Sequence, residues 1–185
     1  RLAGSQDEHR AAEIIRKSLK KAGLPCRLEP FKISAYDKTN ATLEVLEPYK
    51  KTYTANAIGL AGNTPAKGIT AEFLHLTTYD HFTLNNAKGK IAMFYNSQQK
   101  EFYGKLKKYK IPAFVRIIDH PENDTHLSLM YTVVDKYGKI PGVSISYETA
   151  LELIHRKAKK AKIRVSQKEF KGTSHNVTAE IKGTA

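Results

Sequence analysis

Cysteine is almost missing from this chain: 185 residues contain one, Cys26. That excludes an internal disulfide and any zinc or iron-sulfur site built from several thiolates, and it leaves Cys26 as a small, semi-buried apolar side chain. Long apolar runs are missing as well. No stretch reaches the roughly 18 apolar residues of a membrane-spanning helix, so no membrane span is expected. The opening Arg1-Leu2-Ala3-Gly4-Ser5 is too polar to read as a secretory signal. Acidic residues are scarce: 18 Asp and Glu stand against 31 Lys and Arg, a formal charge of +13. This imbalance favours any anionic partner through long-range attraction. The cations group at Arg16-Lys17 with Lys20-Lys21, at Lys105, Lys107-Lys108 and Lys110, and at Arg156-Lys157, Lys159-Lys160 and Lys162, all in segments that read as helices. Lysines late in a helix complement its negative end and keep its outer face wet. No RNA- or DNA-binding motif accompanies them, so solvated helix faces are expected and no nucleic-acid partner. A free-standing basic module for an anionic partner is the alternative reading.

With 41% hydrophobic residues, the chain has enough apolar surface for one good core. Ser5-Gln6-Asp7-Glu8 has the form of a capping box, and Gly23 followed by Pro25 closes the helix it opens. Ala11 or Ala12, Ile15, Leu19 and Ala22 recur at helical spacing and predict a stripe that something covers. Residues 26–57 turn to strand texture, with Leu43 alternating with Val45 before Pro48. The apolar runs at residues 69–76 and 90–95 predict central strands covered on both faces. Phe102, Leu106 and Tyr109 mark a helix, residues 111–118 another strand, and residues 140–145 a strand entering a helix from about Tyr147 to Lys160. Ala150 or Leu151, Ile154 and Ala158 are that helix's expected buried face. Ile163 and Val165 begin a further strand, and Val177, Ala179 and Ile181 alternate in a half-buried last one. The order predicts an α/β (mixed α+β) fold: a mixed β-sheet flanked by helices, with a separate helix and strand at the two ends.

A catalytic metal site needs three or four His, Asp or Glu ligands brought together. The seven histidines offer two dense groups, His75 with Asp80-His81 and the segment from Asp119 through His120 to His126; both read as ordinary turn chemistry. Gly142-Val143-Ser144-Ile145-Ser146 approaches the G-x-S-x-G nucleophile elbow but lacks the second glycine, and Ser146 is better placed to cap the next helix. No phosphate-binding glycine motif occurs. Sequons stand at Asn40, Asn123 and Asn176, the last heading a half-buried strand where a glycan fits poorly. No catalytic, cofactor-binding or metal-binding residue is therefore assigned.

Arg1-Leu2-Ala3-Gly4-Ser5, the helix with Ala11-Ala12 and Leu19, Gly23-Leu24 and Glu29-Pro30-Phe31 together resemble the opening of zinc-dependent aminopeptidases that carry an inserted protease-associated domain. The middle resembles that insertion, through Lys88-Gly89-Lys90-Ile91-Ala92-Met93-Phe94, Ile111-Pro112-Ala113-Phe114-Val115 and Ile140-Pro141-Gly142-Val143-Ser144-Ile145-Ser146. The closing run from Ser174-His175-Asn176-Val177 to Gly183-Thr184 resembles the strand that returns to the peptidase fold. The resemblance implies three segments: residues 1–34 from the peptidase fold, residues 35–171 as the inserted domain, and residues 172–185 as the return strand. It implies that the His-x-Asp zinc pair and the general base lie beyond such a segment, so zinc is expected in the parent protein and none in this chain; His175 is not the missing ligand. Both ends then read as cut from a longer protein. The expected partners are the catalytic domain of the same parent and its peptide substrate, with the loops at residues 77–88 and 119–131 as the cleft-facing surface. An apolar patch is expected on the first helix or last strand, open to self-association.

Overall fold

The computed structural model describes residues 3–95, 100–118, 131–181 and 183. The elements are α1 (Gln6–Lys21), β1 (Cys26–Glu47), β2 (Lys51–Thr54), β3 (Asn56–Ala57), β4 (Ile69–His75), α2 (His81–Asn86), β5 (Ile91–Tyr95), α3 (Lys100–Lys108), β6 (Ala113–Ile118), α4 (Tyr131–Tyr137), β7 (Gly142–Ser146), α5 (Tyr147–His155) and β8 (Lys160–Ala179). The chain divides into two compact units, one made of Arg1–Asp37 with Glu169–Ala185, the other of Lys38–Lys168. The described strands form a mixed sheet in the order β2-β1-β8-β4-β5-β6-β7-β3.

In the first unit, α1 starts as its sequence dictates: the Ser5 hydroxyl accepts the Glu8 N–H at 3.2 Å. Glu8 completes the cap one residue further out than a reciprocal box would, accepting from the Gly4 N–H at 3.2 Å. Gly4 has φ 77° and sits against Ile33 and Gly172, so a side chain there would be strained and crowded. The covered stripe of α1 is centred on Ala12, whereas Ile14 and Ile15 remain about half exposed, at 57% and 51%. The expected burial of Ile15 is therefore corrected. The strand pair predicted near the C-terminus is instead one continuous 20-residue strand, β8.

In the second unit, β4, β5, β6 and β7 run parallel, flanked by antiparallel pairings of β4 with β8 and of β7 with β3. β5, β6 and β7 are buried along almost their whole length. The reason is that alternate residues enter two cores. Ile91, Met93, Val115, Ile117, Val143 and Ile145 point to one side, with Leu43 and Val45 of β1 and Ala150 and Leu153 of α5. Ala92, Phe94 and Phe114 point to the other, with Leu84, Phe102, Leu106 and Val133 of the three helices that connect the parallel strands. Two-sided burial is what makes these strands nearly uniformly apolar. β4 is covered less completely than its apolar run predicts, with Phe73 its one buried residue.

Two helices are absent from the sequence expectation. α2 has six residues with one buried, Leu84, and α4 buries Val133; neither is long enough to show a helical period. α5 ends at His155 rather than near Lys160. Its terminus is a Schellman turn: Ala158 N–H bonds to Leu153 C=O and Lys157 N–H to Ile154 C=O, both at 3.0 Å. The left-handed residue is Lys157, φ 53°, where glycine is the usual signal. α3 ends the same way at Lys110, φ 55°, with Ile111 N–H on Leu106 C=O. Lysine in the left-handed position hides both helix ends from a reading that looks for glycine. The buried face of α5 is Ala150 and Leu153, and Leu151 and Ile154 are exposed, because the helix presents a face about one residue removed from the expected one.

Candidate functional site

The segment after β4 lies at the C-terminal ends of the parallel strands, where open α/β sheets place their ligand-contacting loops. Its geometry is set by Asp80, the N-cap of α2. The Asp80 carboxylate accepts the Thr83 N–H at 2.9 Å, the Thr83 hydroxyl at 3.0 Å and the Thr78 hydroxyl. These donors, the Thr78 hydroxyl foremost, hold the carboxyl down to about 2. His81 pairs with the Tyr109 hydroxyl at 2.6 Å. Tyr79 anchors the base of the segment, its ring 4.4 Å from Phe102 and its hydroxyl donating to Tyr95 C=O at 3.0 Å; burial raises its phenol above the ordinary range. Phe82 projects from this braced turn with 83% of its surface exposed, and Tyr95 at the end of β5 is 44% exposed. His75, at the end of β4, is kept toward its neutral form by burial.

The carboxylate of this segment caps α2, its imidazole is paired with a phenol, and the protruding group is an aromatic ring suited to apolar contact. His75, Asp80 and His81 do not converge as ligands; among the described residues no three His, Cys, Asp or Glu side chains are placed to hold a metal ion. Residues 119–130, including Asp119, His120 and His126, lie outside the described residues, as do Asn123 and most of the second expected cleft loop.

Ser144 is not an exposed nucleophile. It is 1% exposed in mid-strand, opposite Arg116 of β6 and Asn56 of β3, and its Oγ finds no hydrogen-bond partner among the described residues. Gly142 serves packing: a Cβ there would overlap the Phe114 ring. Ser146 caps α5, its Oγ accepting the Thr149 N–H at 3.2 Å. Cys26 is half-buried, its thiol donating to Arg16 C=O at 3.2 Å. His175 stands beside Glu8, with its ring 4.9 Å from that of His9. Asn40 and Asn176 are both exposed, Asn176 standing within β8 just before the half-buried Val177 and Thr178.

Two polar networks have no counterpart in the sequence reading. Glu152 of α5 accepts from Lys51 Nζ at 2.8 Å, Tyr53 Oη at 3.0 Å and Arg156 Nη1 at 3.0 Å, while the Arg156 guanidinium lies 3.6 Å over the Tyr49 ring. Lys51 and then Arg156 hold the Glu152 carboxyl down to about 2. Buried Gln167 accepts from Leu60 N–H at 3.0 Å and donates to Gly62 C=O at 3.1 Å, fastening the turn before β4 to β8. Each joins residues about a hundred positions apart, and the i, i+4 pair Glu152–Arg156 was the one local signal of the first.

No family model matches the chain. Over its whole length it is 30% identical to bovine carboxypeptidase Q and 28% identical to the human protein of the same name. In each case it spans 43% of the relative's length. Its fold is similar to that of a peptidase M28 precursor from Shewanella amazonensis, with a TM-score of 0.75 at 20% identity, covering 100% of this chain and 47% of that one. It is likewise similar to a zinc aminopeptidase from Bacillus subtilis, with a TM-score of 0.69 at 22% identity, covering 97% of this chain and 42% of that one. The chain is thus homologous to part of peptidase-family proteins, and its mixed α/β fold matches theirs.

Proposed function

We propose that this chain is the non-catalytic, access-shaping part of a zinc-dependent peptidase, with residues 38–168 forming a domain of the protease-associated type. One observation carries the reading: the chain aligns end to end with less than half of each peptidase relative, and one of its two compact units is built from both chain ends with the other inserted between them in sequence. That chain order is the one an inserted accessory domain produces. Among the described residues no three His, Cys, Asp or Glu side chains are placed to hold a zinc ion. Its ligands are assigned to the part of the relatives' length that this chain does not span. The partners of this reading are the catalytic portion of the same protein and the peptide substrate that portion cleaves.

In this role the braced turn bearing Phe82 supplies apolar contact to a passing peptide. A side chain held on a rigid, capped turn loses little conformational entropy on contact, which is what makes an exposed aromatic an effective anchor. The test has two arms. The coding sequence beyond Ala185 should contain a His-x-Asp pair within roughly twenty codons. The 185-residue chain incubated with zinc should not hydrolyse dipeptides or aminoacyl chromogenic substrates. Chelator-sensitive turnover by the chain alone would overturn the non-catalytic assignment.

A further inference from the structure

Where β1, β8 and β4 lie side by side in the second unit, alternation along the strands decides which groups face outward. Leu43 and Val45 of β1 and Ile163 and Val165 of β8 enter the core. Asn40 and Thr42, and Lys162, Arg164 and Ser166, therefore project from the other face. A cleft of about 520 Å³ opens there, and its polar lining is Asn40, Thr42, Asn63, Thr64, Arg164 and Ser166. Among the described residues no acidic and no aromatic side chain lines it. The outward acids to either side, Glu44 of β1 and Glu72 of β4, stand outside the cleft, and Glu72 is paired with Lys90 at 3.1 Å.

One wall is fixed by hydrogen bonds across about a hundred positions of sequence. Asn63 pairs both ways with the Gln167 backbone, Nδ2 donating to its C=O at 3.0 Å and Oδ1 accepting its N–H at 2.8 Å. Thr64 does the same at Val165, its N–H donating to the C=O at 3.0 Å and its Oγ1 accepting the N–H at 3.1 Å. The turn that follows closes with the Gly68 N–H on the Pro65 C=O at 2.7 Å. Gly68 has φ 81°, and a Cβ there would stand 2.9 Å from Arg164 Cγ and 3.4 Å from Lys162 Cε. The bare glycine thus lets the Arg164 stem lie against the turn, with Lys162 beside it. Neither cation pairs with a carboxylate among the described residues, and the side chains of Asn40, Thr42 and Ser166 make no hydrogen bond to them.

The donor set chooses the ligand. A guanidinium fork with hydroxyl and amide donors matches a tetrahedral oxyanion, which accepts from several directions at once. A metal ion finds no carboxylate or imidazole in the lining, and a nucleobase finds no aromatic face to stack on. The volume falls in the range of about 300 to 1,000 Å³ typical of small-molecule sites, which leaves room for a group that carries the anion.

We infer that this cleft binds a phosphate group, free or carried by a small polar molecule, with Arg164 and Lys162 supplying the charge and Thr42, Ser166 and Asn40 the further donors. This goes beyond the peptidase reading and does not depend on it.

The experiment is calorimetric titration of the 185-residue chain with sodium phosphate, glycerol phosphate and sodium acetate. It is run at about 0.15 M KCl, where a screening length of about 8 Å suppresses attraction to the diffuse charge of the chain. One saturable site is expected for the phosphate ligands, with a dissociation constant on the order of 1 mM, and none for acetate. Arg164→Gln should weaken it about 10-fold, and Arg164→Lys, which keeps the charge and loses the fork, about 3-fold. Ser166→Ala should weaken it about 3-fold through one lost donor. Lys108→Gln removes the same charge from α3, outside the lining, and should leave it within about 2-fold. Circular dichroism checks that each variant folds, and Arg164→Lys and Ser166→Ala carry the test if Arg164→Gln does not. Tighter binding of glycerol phosphate identifies a carried phosphate and the reverse order the free ion; either order supports the site. The inference is overturned by absence of saturable phosphate binding, by acetate binding as tightly as phosphate, by indifference to the Arg164 and Ser166 variants, or by an equal loss in Lys108→Gln.

Discussion

Glu8 binds the two ends of the described chain to each other: its Oε1 accepts the backbone N–H of His175 at 3.2 Å, across 167 positions of sequence, while its Oε2 accepts from Gly4. One carboxylate therefore completes the cap of α1 and fixes β8 beside it. Removing it strands two partly buried backbone donors, a loss of about 1 to 3 kcal/mol. Glu8→Ala should speed amide exchange both in α1 and around residue 175, and Glu8→Gln, which keeps one acceptor oxygen, should show a smaller effect. Faster exchange in α1 alone would mean that the link to β8 carries no stability.

The Glu152 network makes a prediction about acid. Its folded carboxyl is held down to about 2 by Lys51 and Arg156, against an ordinary glutamate near 4.3. A depressed pKa contributes stability that is complete above the ordinary value and is lost as pH falls toward the folded one. The thermal midpoint should fall between about pH 5 and pH 2, and Glu152→Gln should flatten that part of the decline. An unchanged acid limb in the variant would remove Glu152 from the account.

Lysine in a left-handed helix terminus is strained, whereas glycine is not. The cost to a non-glycine residue is about 1 to 2 kcal/mol, offset by roughly 0.5 to 1 of added chain entropy for glycine in the unfolded state. Lys110→Gly, at φ 55°, should raise stability by about 0.5 kcal/mol in urea denaturation. Destabilisation would show that the Lys110 side chain makes a contact worth more than the strain.

Gly142 and Ser144 should behave as core residues. Gly142→Ala forces a methyl into the Phe114 ring and should cost about 1 to 3 kcal/mol. Ser144→Ala removes a buried hydroxyl without a partner among the described residues and should be neutral or mildly stabilising. Calorimetry of the two variants checks both, and a large loss in Ser144→Ala would reveal a role for the hydroxyl.

Local patterns were legible wherever the physics is local. Ser5 and Ser146 cap their helices as read, since an N-cap needs only a hydroxyl and the amide three residues on. The central strands at residues 91–95 and 113–118 were legible because burial on both faces makes them apolar throughout. The short α2 was not, since six residues do not complete two helical turns, and the end of α5 was not, since Lys157 stands where glycine would have marked it. The segment after β4, expected as a loop, contains α2, and its bracing by Asp80, Thr78 and Thr83 and the protrusion of Phe82 emerged from packing alone.

What the sequence determined by itself is the alternation of apolar and polar residues, and with it which elements exist and which of their faces avoid water. Only the tertiary structure decided what covers each face and which distant groups meet: that Tyr53 reaches Glu152, that the Lys159 N–H meets the Glu47 carbonyl, and that Ser144 is buried while Leu151 is not. The physical reason is range. Propensity and capping act over three or four residues, whereas these contacts join segments about a hundred residues apart, and only closure of the sheet brings them within reach of one another.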